Sequence, residues 1–210
     1  MKNISAKFLI TMAIGLATFL DAQTINRYGT TTANFLEIGI GSRATSMGDA
    51  YVAVANDVSS IYWNPAGLSH VTRSSALFSI QPWLVDIDMM FAGGAFVVPS
   101  VGVIGLGITH LDYGEMDVTN LEYQDGTGER FGASDVAATF TFSRKIVSWF
   151  SFGSSMKYIS SKIWHSSASA FAVDLGVLVN TNFFSFTGKD KDGMNIGMSI
   201  SNYGTRMKYD

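Results

Sequence analysis

Two hydrophobic patterns divide this chain. From about residue 73 onward, large apolar residues recur at every second position. Across 136–143 (VAATFTFS), Val136, Ala138, Phe140 and Phe142 share one face, with Ala137, Thr139, Thr141 and Ser143 on the other. Across 169–180, Phe171, Val173, Leu175, Val177 and Val179 alternate with Ala170, Ala172, Asp174, Gly176 and Asn180, Leu178 being an apolar exception. Residues 195–201 set Ile196, Met198 and Ile200 against Asn195, Gly197, Ser199 and Ser201. Successive side chains of a strand point to opposite faces, so this alternation predicts strands with one apolar and one small or polar face. Strands are expected over residues 73–83, 88–98, 101–113, 131–144, 148–162, 169–182 and 194–203, with a shorter one at 115–123. Turn signals separate them: Pro99-Ser100, the polar run 125–128 (DGTG) and the charged run 189–193 (KDKDG). Many of these strands match the roughly 9–11 residues a tilted strand needs to cross a bilayer. The usual globular strand has about 5–6.

Residues 23–72 have a different texture, with small residues and local helical signals. Residues 43–56 (RATSMGDAYVAVAN) predict a short helix weakened by Gly48, and Asp57 can cap a second over 57–63. Asn64-Pro65 breaks the chain, and Pro65 suits the first position of a further turn. Residues 1–22 carry Lys2 and Lys7, an uncharged apolar run over 8–20, and a small residue, Ala22, at the expected cut. That order predicts a cleaved secretory signal peptide. The chain thus divides into an export signal (1–22), an N-terminal segment (23–72) and a strand region (73–210).

Composition narrows the class. Of 210 residues, 47% are hydrophobic and only 15% charged, with 21 glycines and a mean hydropathy of +0.22. A soluble domain usually has about 25% charged residues. No internal stretch provides the roughly 20 apolar residues of a transmembrane helix. A barrel with alternating faces, or an exported soluble β-protein with a dense core, remains. Net charge is −3, pI is about 5.5 and no basic patch occurs, which sets nucleic acid aside. The absence of cysteine is compatible with export. Trp83, Tyr113, Tyr123, Trp149 and Trp164 lie at or near expected strand ends, where a bilayer interface collects Tyr and Trp.

Several short motifs imitate chemistry without its context. Gly39-x-Gly41-x-x-Ala44 fits a dinucleotide fingerprint, but no βαβ unit follows. Ser154-x-x-Lys157 lies in an alternating stretch, where residues three apart face opposite sides and cannot act together. Asp190-Lys191-Asp192-Gly193 departs from calcium-loop spacing, and His70, His110 and His165 are isolated. No catalytic residue, cofactor or metal site is expected.

The most specific signal is the block 35–71, FLEIGIGSRATSMGDAYVAVANDVSSIYWNPAGLSHV. Its ordered elements are Gly41-x-Arg43-Ala44, Met47-Gly48-x-Ala50, Val54-Ala55-x-Asp57 and Tyr62-Trp63-Asn64-Pro65-Ala66-Gly67-Leu68. This block resembles the N-terminal signature of the PorV/PorQ-like outer-membrane proteins, relatives of the FadL-type barrels. The resemblance implies an all-β, antiparallel transmembrane barrel of fourteen strands with a short helical N-terminal hatch inside it. It implies either a non-catalytic role in type IX secretion or FadL-like passage of hydrophobic molecules. Implied partners are outer-membrane lipid, secretion components and secreted cargo proteins. Arg43, Met47, Gly48, Asp57, Trp63, Asn64, Pro65, Ala66 and Gly67 would form the hatch motif, with 62–68 a compact break near the base of the first strands.

The seven or eight strands counted here fall short of fourteen. A closed eight-stranded barrel is filled by its own side chains and has no room for the N-terminal segment, so the chain is expected to be part of a larger barrel. Phe140, Phe142, Phe171, Val173, Leu175, Ile196, Met198 and Ile200 should face lipid, and Thr139, Thr141, Asp174, Gly197, Ser199 and Ser201 the lumen. A hairpin about a 164–167 loop would place Lys157 directly opposite Asp174 on the lumenal side. Water should screen such a pair.

Overall fold

The computed structural model describes residues 32–187 and 193–210; the expected signal peptide, residues 23–31 and most of the charged turn 189–193 lie outside them. The unit Ala33–Asp210 consists of a seven-stranded antiparallel sheet and the N-terminal segment packed on one of its faces. The strands are β1 (Ser75–Pro82), β2 (Asp88–Val98), β3 (Gly102–Asp117), β4 (Arg130–Val147), β5 (Phe150–Ile163), β6 (Ser166–Asn180) and β7 (Asn195–Gly204). Each pairs with its neighbour in sequence, so the sheet is a meander with β1 and β7 at its edges. In the middle of the sheet β3, β4, β5 and β6 have 16, 18, 14 and 15 residues, enough to cross a bilayer at a tilt.

The alternation read from the sequence sorts the two faces. Phe140, Phe171, Val173, Leu175, Ile196, Met198 and Ile200 are exposed on the outer face, and Phe142 is half-buried there. Phe78, Leu106, Ile108 and Met156 extend this apolar surface over the other strands. Soluble monomers rarely expose contiguous apolar surface beyond a few hundred Å². The inner face is lined by buried Thr139, Thr141, Ser143, Ser155 and Asp174, with Gly197 and Ser199 half-buried near its edge.

Some boundaries differ from the expectation. Residues 115–123 are not a separate strand: β3 continues to Asp117 past a bulge between Asp112 and Glu115, and the rest is loop. Tyr113 therefore lies within β3, four residues before its end, and its hydroxyl donates to Asp135 Oδ2 at 2.8 Å. The helix expected over 43–56 ends early, as Ser42–Ser46, because Gly48 and Asp49 adopt φ of 63° and 63°. Left-handed residues cannot continue a right-handed helix. The second helix is likewise a single turn, Ser60–Trp63, and Asp57 Oδ1 accepts from the Ser59 amide just before it at 2.9 Å.

The apolar core lies between the segment and the inner face. Phe35, Leu36, Ile40, Val58, Ile61 and Leu68 pack on Met89 and Phe91 of β2, Val103 and Leu111 of β3, Ala137 of β4 and Ile159 of β5. Ile159, an apolar residue on a polar face, thus meets the segment instead of water.

Candidate functional site

The break at Asn64-Pro65 is where the segment meets the wall most closely. Asn64 has an extended backbone (φ −158°, ψ 106°), the conformation a following proline favours. The 3-10 turn Pro65–His70 follows, with Pro65 at its first position, where a missing N–H costs nothing. Asn64 Oδ1 accepts from the Ala66 amide at 3.1 Å. Its Nδ2 donates to the Val52 carbonyl at 2.9 Å and to the Val177 carbonyl of β6 at 3.2 Å. One fully buried side chain thereby caps a turn, ties two parts of the segment together and anchors both to the wall.

The wall is shaped to receive this turn. Gly153 of β5 and Gly176 of β6 are directly paired across the ladder. A Cβ on Gly176 would lie 2.1 Å from Asn64 Oδ1, and one on Gly153 would lie 2.3 Å from the Pro65 carbonyl carbon. No side chain fits at either place, so the pair forms a bare seat for the Pro65-Ala66 backbone. Ser143 of β4 completes it, its hydroxyl donating to the Ala66 carbonyl at 3.1 Å. Gly67 is constrained from within the segment, since its Cβ would meet the Ala55 carbonyl oxygen at 2.2 Å. The turn packs mainly against β4, β5 and β6. The expected position near the first strands is thus corrected: the bare seat lies mid-sheet, where β5 and β6 bring their glycines together.

The other signature residues brace the segment internally. The Arg43 guanidinium pairs with Asp57 Oδ2 at 3.0 Å, donates to Asn56 Oδ1 at 3.3 Å and stands 5.4 Å from the Tyr51 ring centre. The Tyr51 hydroxyl donates to Asp57 Oδ2 at 3.2 Å. Burial, with the nearby Asp57 carboxylate second, pushes the Tyr51 phenol above its ordinary range. Trp63 Nε1 donates to the Ile40 carbonyl at 3.1 Å. Gly48 supplies the left-handed turn, and Met47 is exposed beside it. The glycines of the apparent dinucleotide fingerprint have packing explanations. Gly39 lies against the Asp49 carboxylate, and Gly41 takes a φ of 82° before the first helical turn.

Lys157 and Asp174 lie on the inner face of adjacent strands, but not opposite each other. Lys157 faces Ala172, and Asp174 faces Ser155. The turn is tighter than expected, only Trp164-His165 with Trp164 at φ 52°, and it displaces the register by two residues. An even shift keeps every side chain on its face. The ammonium reaches Asp174 Oδ2 diagonally at 2.8 Å, and the two side chains are only 3% and 1% exposed. The expectation of a solvated pair is therefore corrected. Lys157 Nζ also donates to Asn202 Oδ1 at 2.8 Å and lies 5.9 Å from the Tyr62 ring centre. Tyr62 roofs the pair, its hydroxyl lying 2.8 Å from the Leu36 carbonyl and 2.6 Å from that of Ile38. Burial drives the Tyr62 phenol well above its ordinary range.

Asp174 also marks a bulge. Val173 pairs with Tyr203 and Leu175 with Ile200, so Ser201 and Asn202 both stand opposite Asp174. Asn202 takes φ 59°, and its amide donates to Asp174 Oδ1 at 2.7 Å. Ser201, expected to be lumenal, is exposed at the bulge, and the bulge lets Asn202 reach Lys157. Gly153, Gly176, Ser143, Tyr62 and Asn202 were not singled out as site residues from the sequence. The available signal for the wall residues was a small side chain mid-strand on the polar face.

A sheet of long antiparallel strands, apolar outside, polar inside and packed against its own N-terminal segment, defines an outer-membrane β-barrel type of protein. Within that class the chain belongs to the PorV family: the model described as "Type IX secretion system protein PorV" matches residues 21–210. It is thus an outer-membrane protein of the type IX secretion family. A search of the curated proteins finds no match.

Proposed function

We propose that the chain is a non-catalytic wall component of type IX secretion, exported with cleavage after Ala22, in which residues 23–72 act as a hatch seated on the barrel wall. The family match over residues 21–210 carries this reading, because it spans both the proposed hatch and the strands. The seat supports it. Asn64, Gly153 and Gly176 bury the turn against backbone, an arrangement suited to holding a segment in place. The hatch motif Arg43, Met47, Gly48, Asp57, Trp63, Asn64, Pro65, Ala66 and Gly67 maintains the segment's shape, and Lys157 with Asp174 supports it from the wall. The partners are outer-membrane lipid on the apolar face, and secretion components and secreted cargo elsewhere.

The alternative is FadL-like passage of hydrophobic compounds. Thr141, Ser143, Ser155, Lys157 and Asp174 put polar and charged groups on the inner face of β4, β5 and β6 beside Ala137, Ile159 and Ala172, which favours the secretion reading over it. A deletion strain tests the choice. Loss of many secreted proteins from the medium and cell surface is expected. Normal secretion with failure to grow on fatty acids or hydrocarbons would overturn the secretion reading.

A further inference from the structure

At the strand ends near the β4–β5 turn, a cavity of about 500 Å³ opens between the N-terminal segment and the wall. Three basic side chains line it: Arg43, His70 and Lys145. Asn56, Asn180 and Asn195 supply amides, and no carboxylate is among the lining residues. Leu178 gives it an apolar side. Its volume is in the range of small-ligand sites, about 300–1,000 Å³.

The hydrogen bonding inside the cavity leaves donors unused. The Asn180 amide nitrogen donates to Asn195 Oδ1 at 2.8 Å, which leaves Asn180 Oδ1 to accept from His70 Nε2 at 3.1 Å. His70 is thus held by one ring nitrogen. Its Nδ1 is buried and without a partner. Among the described residues Arg43 uses only Nη1, on Asn56 and Asp57. Among the described residues Lys145 makes no ion pair. A buried ring nitrogen without a partner is costly, and cations around a concavity favour an anion.

We propose that this cavity binds a phosphate-bearing ligand, with Lys145, His70 and the free edge of Arg43 as its recognition groups. Phosphate suits the site better than a carboxylate. A P–OH can donate to Nδ1 of a neutral imidazole, and a P–O⁻ can accept from an imidazolium, so phosphate satisfies His70 in either state. An ionised carboxylate satisfies only the second. Arginine and lysine are the usual partners of phosphate oxygens. The inference is independent of the secretion reading, since no part of it requires cargo.

The test is calorimetric titration of the full chain in detergent micelles with pyrophosphate, using succinate as the carboxylate control. Saturable pyrophosphate binding is expected, at least tenfold tighter than succinate. Lys145→Gln should weaken it about tenfold or more. Lys145 is exposed, so that variant should fold normally, and His70→Gln should also weaken binding. Absence of saturable binding, affinity unchanged in both variants, or succinate binding equally well would each overturn the proposal. Repeating the titration in nanodiscs identifies the source of the phosphate. Competition by phosphatidylglycerol but not by phosphatidylcholine assigns a lipid headgroup, and binding unaffected by either lipid assigns a soluble phosphate compound.

Discussion

The wall and the N-terminal segment are built from the same chain by opposite means. In the wall the backbone ladders supply the order: β2 to β6 pair over most of their lengths, and side chains sort to two faces. Over its described residues the segment has little regular structure, four short turns of 4, 5, 4 and 6 residues. Helices this short are not stable alone. Its backbone groups are instead satisfied by side chains: Tyr62 against Leu36 and Ile38, Trp63 against Ile40, Asn64 against Val52 and Ala66. A wall of this kind tolerates exchange of one side chain for another of the same character. The segment depends on individual atoms.

Four substitutions probe that contrast. The largest effect is expected where wall and segment meet. Asp174→Asn removes the counter-charge of a lysine only 3% exposed and should cost about 3–5 kcal/mol. Denaturant midpoints in detergent would measure it, and a double exchange of Lys157 and Asp174 for apolar residues should recover most of the loss. Next comes the outer face. Phe140→Arg places a charge among the exposed apolar residues of the outer face, and if that face meets lipid it should cost about 2–4 kcal/mol in bilayers. Little change in bilayers would remove Phe140 from the lipid-facing surface. Asn64→Ala leaves the Ala66 amide and the Val177 carbonyl without their side-chain partner, for about 1–3 kcal/mol. The loss should fall on the segment. Hydrogen exchange should quicken over residues 33–71 while β4 and β5 stay protected, and uniform exchange across both would break the contrast. The smallest effect is Arg43→Ala. Arg43 and Asp57 are 61% and 40% exposed, so the ion pair should contribute about 1 kcal/mol or less. A far larger drop in the same denaturant assay would mean that Arg43 holds the segment by more than its surface pair.

The strands were legible in the sequence because their signal is local. Phe140, Phe171 and Ile196 each sit among neighbours of the same period, and a two-residue repeat needs no distant partner. Register was less accessible. Trp164-His165 carries no glycine or asparagine to announce a two-residue turn, so Lys157 was set opposite Asp174 instead of Ala172. The segment's motif was visible, but its position was not. Asn64 and Pro65 specify a turn by local chemistry, whereas its resting place depends on Gly153 and Gly176, which from the sequence are simply small residues on a polar face. The bulge at Asn202 was equally hidden, since the carboxylate that accepts from its amide lies on another strand.

The paired glycines also impose an order of events on assembly. Asn64 bonds Val177, 113 positions further along the chain, and the seat exists only once β5 and β6 are aligned. A slip of one residue would bring the side chains of Ser154 or Leu175 to the inner face, where the turn has no space for them. The part of the chain that is made early must therefore settle late. Its docking acts as a check on strand alignment, because only a correctly paired wall can accept it. Pulse-labelled exchange during refolding should show β5 and β6 protected before residues 62–68, and the reverse sequence would exclude this inspection role.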